Sequence, residues 1–164
     1  MTAYFFNAEE IFHVAIHIEQ NGEAFYNLML KSVSDAKAKQ VCIRLAKEEH
    51  CHKLIFENLL SALVQQKGSM YNLTEFPEDD LSYLKALADS NVFGGTLDLN
   101  QLAPQMKTAK DAVKTALDFE KASILFFIQM KQFTRPEWGQ KEINQLIAQE
   151  QEHIKALTAL MKEV

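Results

Sequence analysis

Apolar residues recur along this chain at alternating spacings of three and four, and no stretch sustains an alternation of period two. The pattern predicts an all-α protein. With only 5 Gly and 3 Pro to interrupt it, four segments run at helical period: 8–33, 35–66, 108–133 and, after Gly139, 140–161. Asn7 offers an N-cap with Glu10 three residues on, Ser34 and Asp35 mark a tight turn, Gly68 stops the second segment, and "TRPEWG" (134–139) separates the last two. Residues 67–107 differ in kind. They hold a short amphipathic stretch, "PEDDLSYLKALADS" from Pro77, and then the Gly/Pro-punctuated "FGGTLDLNQLAP". Tight turns make antiparallel hairpins of 7–66 and 108–164, whereas a connection as long as 67–107 can return along the bundle. The expected architecture is one domain over 1–164, an antiparallel four-helix bundle whose single long crossover joins helices 2 and 3 and carries a short extra helix.

The seam that should line this bundle is not wholly apolar. On helix 2 it reads Leu45, Glu49, His52, Phe56, Leu59, Leu63, and on helix 4 Leu146, Glu150, His153, Leu157, Leu160, Val164. Helix 1 sets Glu19 between Phe12, Ile16 and Tyr26, and helix 3 sets Glu120 between Val113, Leu117 and Phe127. Sliding the chain by 101 residues against itself aligns the same set without a gap: Glu19 with Glu120, Tyr26 with Phe127, Met29 with Met130, Leu45 with Leu146, Glu49 with Glu150, His52 with His153. In the crowded "KEEHCH" (47–52), Glu48 falls on Gln149, His50 on Gln151 and Cys51 on Glu152, so those three read as flanking, solvated residues. One Glu-x-x-His per hairpin survives.

Four carboxylates buried without partners would each cost several kcal/mol even after relaxation, a sum comparable with the stability of a whole domain. Two divalent cations would neutralise Glu19, Glu49, Glu120 and Glu150, and His52 and His153 would add neutral nitrogen ligands. The i, i+3 spacing turns each Glu and His the same way from one helix. A glutamate from each of two helices with a Glu-x-x-His from each of the other two is the pattern of di-iron and di-manganese carboxylate bundles. An oxygen-rich set with two imidazoles suits iron first, manganese as the alternative, and zinc as an adventitious occupant.

Over essentially its whole length the chain resembles the ferritin-like superfamily, specifically its rubrerythrin-type domain, through "AIHIEQNGEAFY" (15–26), "LAKEEHCHKL" (45–54), "ALDFEKASILFF" (116–127) and "LIAQEQEHIKAL" (146–157). The resemblance implies ligation of two iron ions by Glu19, Glu49, His52, Glu120, Glu150 and His153, and reaction of that pair with peroxide or dioxygen. In that reaction the four glutamates are the catalytic set. Two departures bear on activity. The cysteine-rich rubredoxin domain of rubrerythrins is absent, so the electron donor must be external, a separate rubredoxin-like protein or another reductant. Where rubrerythrins carry an additional glutamate near the helix 3 ligand, this chain has Ser123 and Ile124.

Two further residues are candidates near the site: Glu23, one turn after Glu19, as an extra ligand, and Tyr26 as a hydrogen-bond partner of a ligand carboxylate. His13 and His17 face away from Glu19 and read as surface residues. The formal charge of −5 without a basic cluster speaks against nucleic acid. No apolar run is long enough to span a bilayer and the N-terminus carries no signal-like pattern, so a cytoplasmic protein without a membrane partner is expected. Cys42 and Cys51 form no C-x-x-C and read as reduced thiols. "SILFFIQM" (123–130) is apolar nearly all round, which calls for cover by the crossover or by a second subunit; a homo-oligomer is expected, with a dimer favoured. Besides an oxidoreductase, two functions fit the same residues: ferrous iron oxidation for iron handling, and a metal-stabilised sensory or partner-binding bundle without turnover.

Overall fold

The computed structural model describes residues 8–66, 102, 106 and 108–164. Four helices dominate it: α1 (Ala8–Ser32), α2 (Ala36–Gln66), α3 (Ala109–Phe133) and α4 (Gln140–Met161). Local chemistry sets their ends. Asp35 closes the turn between α1 and α2, its carboxylate accepting from the Ala38 amide at 2.8 Å. Thr108 and Asp111 form a reciprocal capping box at the start of α3, each side chain accepting the other's backbone N–H. The α3–α4 turn is a single 3-10 turn, Pro136–Trp138, ended by Gly139 at φ 99°, a left-handed conformation that favours glycine. A side chain there would also strike Leu59 of α2, whose Cδ2 lies 2.5 Å from an added Cβ. The Asn7 cap and the short helix expected from Pro77 lie outside the described residues.

The helices form the all-α four-helix bundle, and the packing shows how they run. One apolar cluster takes Phe12 and Ile18 from early α1, Phe56 and Leu63 from late α2, Phe127 and Met130 from late α3, and Ile143 and Leu146 from early α4. The other takes Phe25 and Met29 from late α1, Ala38 and Leu45 from early α2, Val113 and Ala116 from early α3, and Leu157 and Leu160 from late α4, with Met106 beside them. So α1 lies antiparallel to α2 and α3 to α4, while α2 and α3 run the same way and α2 ends where α3 does not begin. Between the two clusters lies a layer that is neither dry nor exposed.

Candidate metal centre

Every side chain of that layer comes from the seam. Glu19 (α1), Glu49 and His52 (α2), Glu120 (α3), and Glu150 and His153 (α4) are all 4% exposed or less. They converge as two groups, Glu19, Glu49, His52 and Glu150 in one and Glu49, Glu120, Glu150 and His153 in the other, with the ligand atoms of each group within 4.8 Å of one another. Glu49 and Glu150 belong to both. His52 Nδ1 stands 2.8 Å from Glu150 Oε1, 3.5 Å from Glu19 Oε2 and 3.8 Å from Glu49 Oε2. His153 Nδ1 stands 2.9 Å from Glu150 Oε2, 3.3 Å from Glu49 Oε1 and 3.4 Å from Glu120 Oε1.

Short as these approaches are, both Nδ1 atoms and all four carboxylate oxygens of Glu19 and Glu150 lack a hydrogen bond of acceptable geometry. Buried polar atoms are otherwise almost always paired. Here they point at a common centre rather than at each other. Ligands about 2.0–2.2 Å from a divalent metal stand about 3 Å from their neighbours around it, the range the nitrogen–oxygen distances occupy. The residues present fit two cations sharing two carboxylates, so the buried cluster is one that can bind metal.

Burial and the closeness of the six side chains to one another shift their pKa values in opposite directions. Burial, and then the charge of Glu49, pushes the Glu19 carboxyl well above the usual range, and burial followed by Glu49 does the same to Glu120. Burial works against the charged ring of His52, yet the carboxylates of Glu150, Glu19 and Glu49 outweigh it and hold its pKa at about 12. His153 is likewise driven far up, against burial, by Glu120, Glu150 and Glu49. Glu150 moves down: burial opposes its charge, and the closeness of His153 and His52 prevails. Glu49 also ends lowered, against burial and the repulsion of Glu150, through Glu19, His153 and His52.

The surroundings are less symmetric than the ligands. The Tyr26 hydroxyl donates to Glu120 Oε1, and burial together with the charges of Glu120 and Glu49 keeps that phenol protonated. Gly22 lies against Glu49, an added Cβ falling 3.1 Å from its Cδ and 3.2 Å from its Oε2. A cavity with about 20 Å³ of room for the centre of a water-sized sphere lies between α1 and α3, where Asn21, Gly22, Tyr26, Glu49, Glu120 and Ser123 meet. A single water needs roughly 10–15 Å³ on this measure. Glu23, the candidate extra ligand, is half-buried and lies 3.2 Å from His50 Nδ1 and 3.6 Å from Lys53 Nζ. His13, His17 and Cys51 are exposed.

Sequence reasoning missed two residues. Glu48, set aside as a flank, accepts from His153 Nε2 at 2.9 Å, and Gln149 stands 3.2 Å from His52 Nε2. The 101-residue register pairs them with each other, but as unlike residues, which is why it read as a mark of the flank. Gly22 and Ser123 are a register pair as well, and both line the cavity.

No family model matches this chain, and no curated protein does. Among solved structures, a crystal structure from Thermotoga maritima, provisionally described as a ferritin-like diiron-carboxylate protein, is similar over 99% of both chains with a TM-score of 0.69 and 21% sequence identity. At that identity the likeness shows the fold: this chain has a ferritin-like four-helix bundle. Among the described residues no helix is long and apolar enough to cross a membrane.

Proposed function

We propose that the chain is a di-iron carboxylate oxidoreductase that reduces peroxide or dioxygen with electrons from an external donor. One observation carries the reading: two sets of four buried side chains, sharing Glu49 and Glu150, converge, and within them both histidine Nδ1 atoms and the oxygens of Glu19 and Glu150 have no hydrogen-bond partner. In it, Glu19, Glu49, His52 and Glu150 would hold one ion, and Glu49, Glu120, Glu150 and His153 the other. Bound there, an iron pair supplies two electrons, one per ion, which matches the reduction of hydrogen peroxide to water without release of a radical.

The protein's own part is to place, shield and limit. The two apolar clusters seal the layer from above and below, which strengthens every charge interaction inside it. The cavity beside Glu49 and Glu120 has room for a water-sized molecule next to two of the site's carboxylates. Tyr26 holds Glu120 in one orientation. With Cys42 and Cys51 apart in the sequence and free, the chain offers no cysteine cluster to return the electrons, hence the external donor.

Stopped-flow mixing tests the reading. Metal-free protein loaded anaerobically should retain about two ferrous ions per chain. It should then oxidise rapidly with about one equivalent of peroxide per pair and stall until a reduced rubredoxin or an artificial donor is added. A pair that stays ferrous for minutes with both peroxide and dioxygen would refute it.

A further inference from the structure

The two candidate metal positions have matching ligands and unmatched supports. His52 and His153 both turn Nδ1 inward, so a ring that offers Nδ1 to a cation carries its proton on Nε2. From His153 that Nε2–H donates to Glu48 Oε2 at 2.9 Å, and from His52 to Gln149 Oε1 at 3.2 Å. Each partner reaches across the bundle, Glu48 from α2 to a histidine of α4, Gln149 from α4 to a histidine of α2. Since the two are equivalent in the 101-residue register, the chain keeps the geometry of the support and changes its charge.

We propose that Glu48 is a positioning residue that makes the two metal positions unequal, so that the one built on Glu49, Glu120, Glu150 and His153 takes the first divalent cation. The inference rests on the dimetal reading above. A carboxylate accepting from Nε2–H shifts electron density toward Nδ1 and adds a negative charge on one side of the pair, whereas an amide oxygen fixes the ring and adds no charge. Tyr26 opposes this, because its donation to Glu120 draws donor strength from a ligand of the same position. A neutral hydroxyl brings a dipole where Glu48 brings a full charge, so Glu48 prevails. Its side chain is 40% exposed, and water reduces its influence. Partners of metal-bound histidines change affinity about 10–100-fold, and partial exposure places Glu48 at about ten-fold.

Cobalt(II) is the probe. Metal-free protein is titrated by calorimetry for the two binding constants, and by proton NMR in water for the shifted imidazole N–H of whichever histidine is ligated first, with His52→Gln identifying which signal is which. The wild type should show the His153 signal with the first equivalent. Glu48→Gln, which keeps a hydrogen-bond acceptor, should still bind two ions, lower the first constant about ten-fold and lose the preference for the His153 position in the first equivalent. The exchange variant Glu48→Gln/Gln149→Glu should fill the His52 position first. Two bound ions whose order of filling ignores residues 48 and 149 would overturn this inference and leave the dimetal reading standing. A protein that takes up no cobalt would overturn both.

Discussion

The hairpins α1–α2 and α3–α4 bring identical ligands and different neighbours. Glu19, Glu49 and His52 have their equivalents in Glu120, Glu150 and His153, yet Tyr26 is matched by Phe127, Gly22 by Ser123, Glu23 by Ile124 and Glu48 by Gln149. The ligands are tied to one another by charge: with four carboxylates in one buried layer, losing any one leaves the remaining charges unbalanced. The neighbours are under no such constraint. Tyr26 touches Glu120, Gly22 lies against Glu49, and Glu48 and Gln149 touch His153 and His52, so the pseudo-symmetric site repeats its ligands and not their supports.

The largest effect should come from breaking what the hairpins share. Glu49→Ala or Glu150→Ala removes a carboxylate common to both groups, and metal content should fall from about two ions per chain to less than about one. His50→Ala should leave it near two, since that ring faces Glu23 at the surface. Elemental analysis after gel filtration reads both. Metal that binds only the folded chain stabilises it by about 2.7 kcal/mol per site at a hundred-fold excess over Kd. Chelation should then lower the wild-type Tm by about 10 °C or more. A variant with glutamine at 19, 49, 120 and 150 should not respond.

Acidity should separate the loaded and metal-free proteins next. In the metal-free fold the pKa of His52 is raised from 6.5 to about 12 and that of His153 is raised further, so their stabilisation is full below pH 6.5 and lost as pH rises through the folded value. Glu19 and Glu120, raised by burial first, act in the same direction, starting from 4.5. The lowered Glu49 and Glu150 oppose them only toward acid, where their stabilisation is lost as pH falls through their folded values. Urea midpoints of metal-free protein should therefore decline from pH 6 to pH 8. Those of loaded protein should hold or rise, because cations replace the site's protons and bind more tightly as protons become scarce.

The neighbours should give the smallest effects. Gly22→Ala forces a methyl against Glu49 and narrows the cavity, which should cost about 1–3 kcal/mol and slow oxidation by peroxide. Tyr26→Phe makes the first hairpin resemble the second. It removes one hydrogen bond to Glu120, worth about 1 kcal/mol of stability, and should strengthen metal binding beside Glu120 only slightly.

Periodicity made the helices legible because each presents one apolar face at a spacing that strands cannot imitate. The observed spans end within a residue or so of those expected, and Thr108, at the expected start of helix 3, is the cap of α3. The polar layer was legible for a related reason: Glu49 and His52 stand where the seam needs apolar residues, and charge at such positions sets them apart from the rest of the helix. Glu48 was not legible. It stands one residue off the seam, where helical sequences usually carry charge, and its contact is with His153, 105 residues away on another helix. Gly22 is comparable, since nothing local distinguishes a glycine that accommodates a carboxylate from one that merely loosens a helix. Glu23, one turn from Glu19, has its contacts with His50 and Lys53.

The divided core has one more consequence. Six residues of the first apolar cluster come from each hairpin: Ile11, Phe12, Ala15, Ile18, Phe56 and Leu63 from one, Phe126, Phe127, Met130, Ile143, Leu146 and Ile147 from the other. Neither hairpin owns a core, so a lone one could keep its apolar face dry only against another of its kind, and two identical copies would rebuild the ligand set in full. The chain thus has the form of a duplicated hairpin. In a pair of separate copies every substitution would appear twice, on both sides of the site at once. Joined into one polypeptide, the copies are free to diverge, and Glu48 facing one histidine while Gln149 faces the other is a difference that only the joined form can inherit.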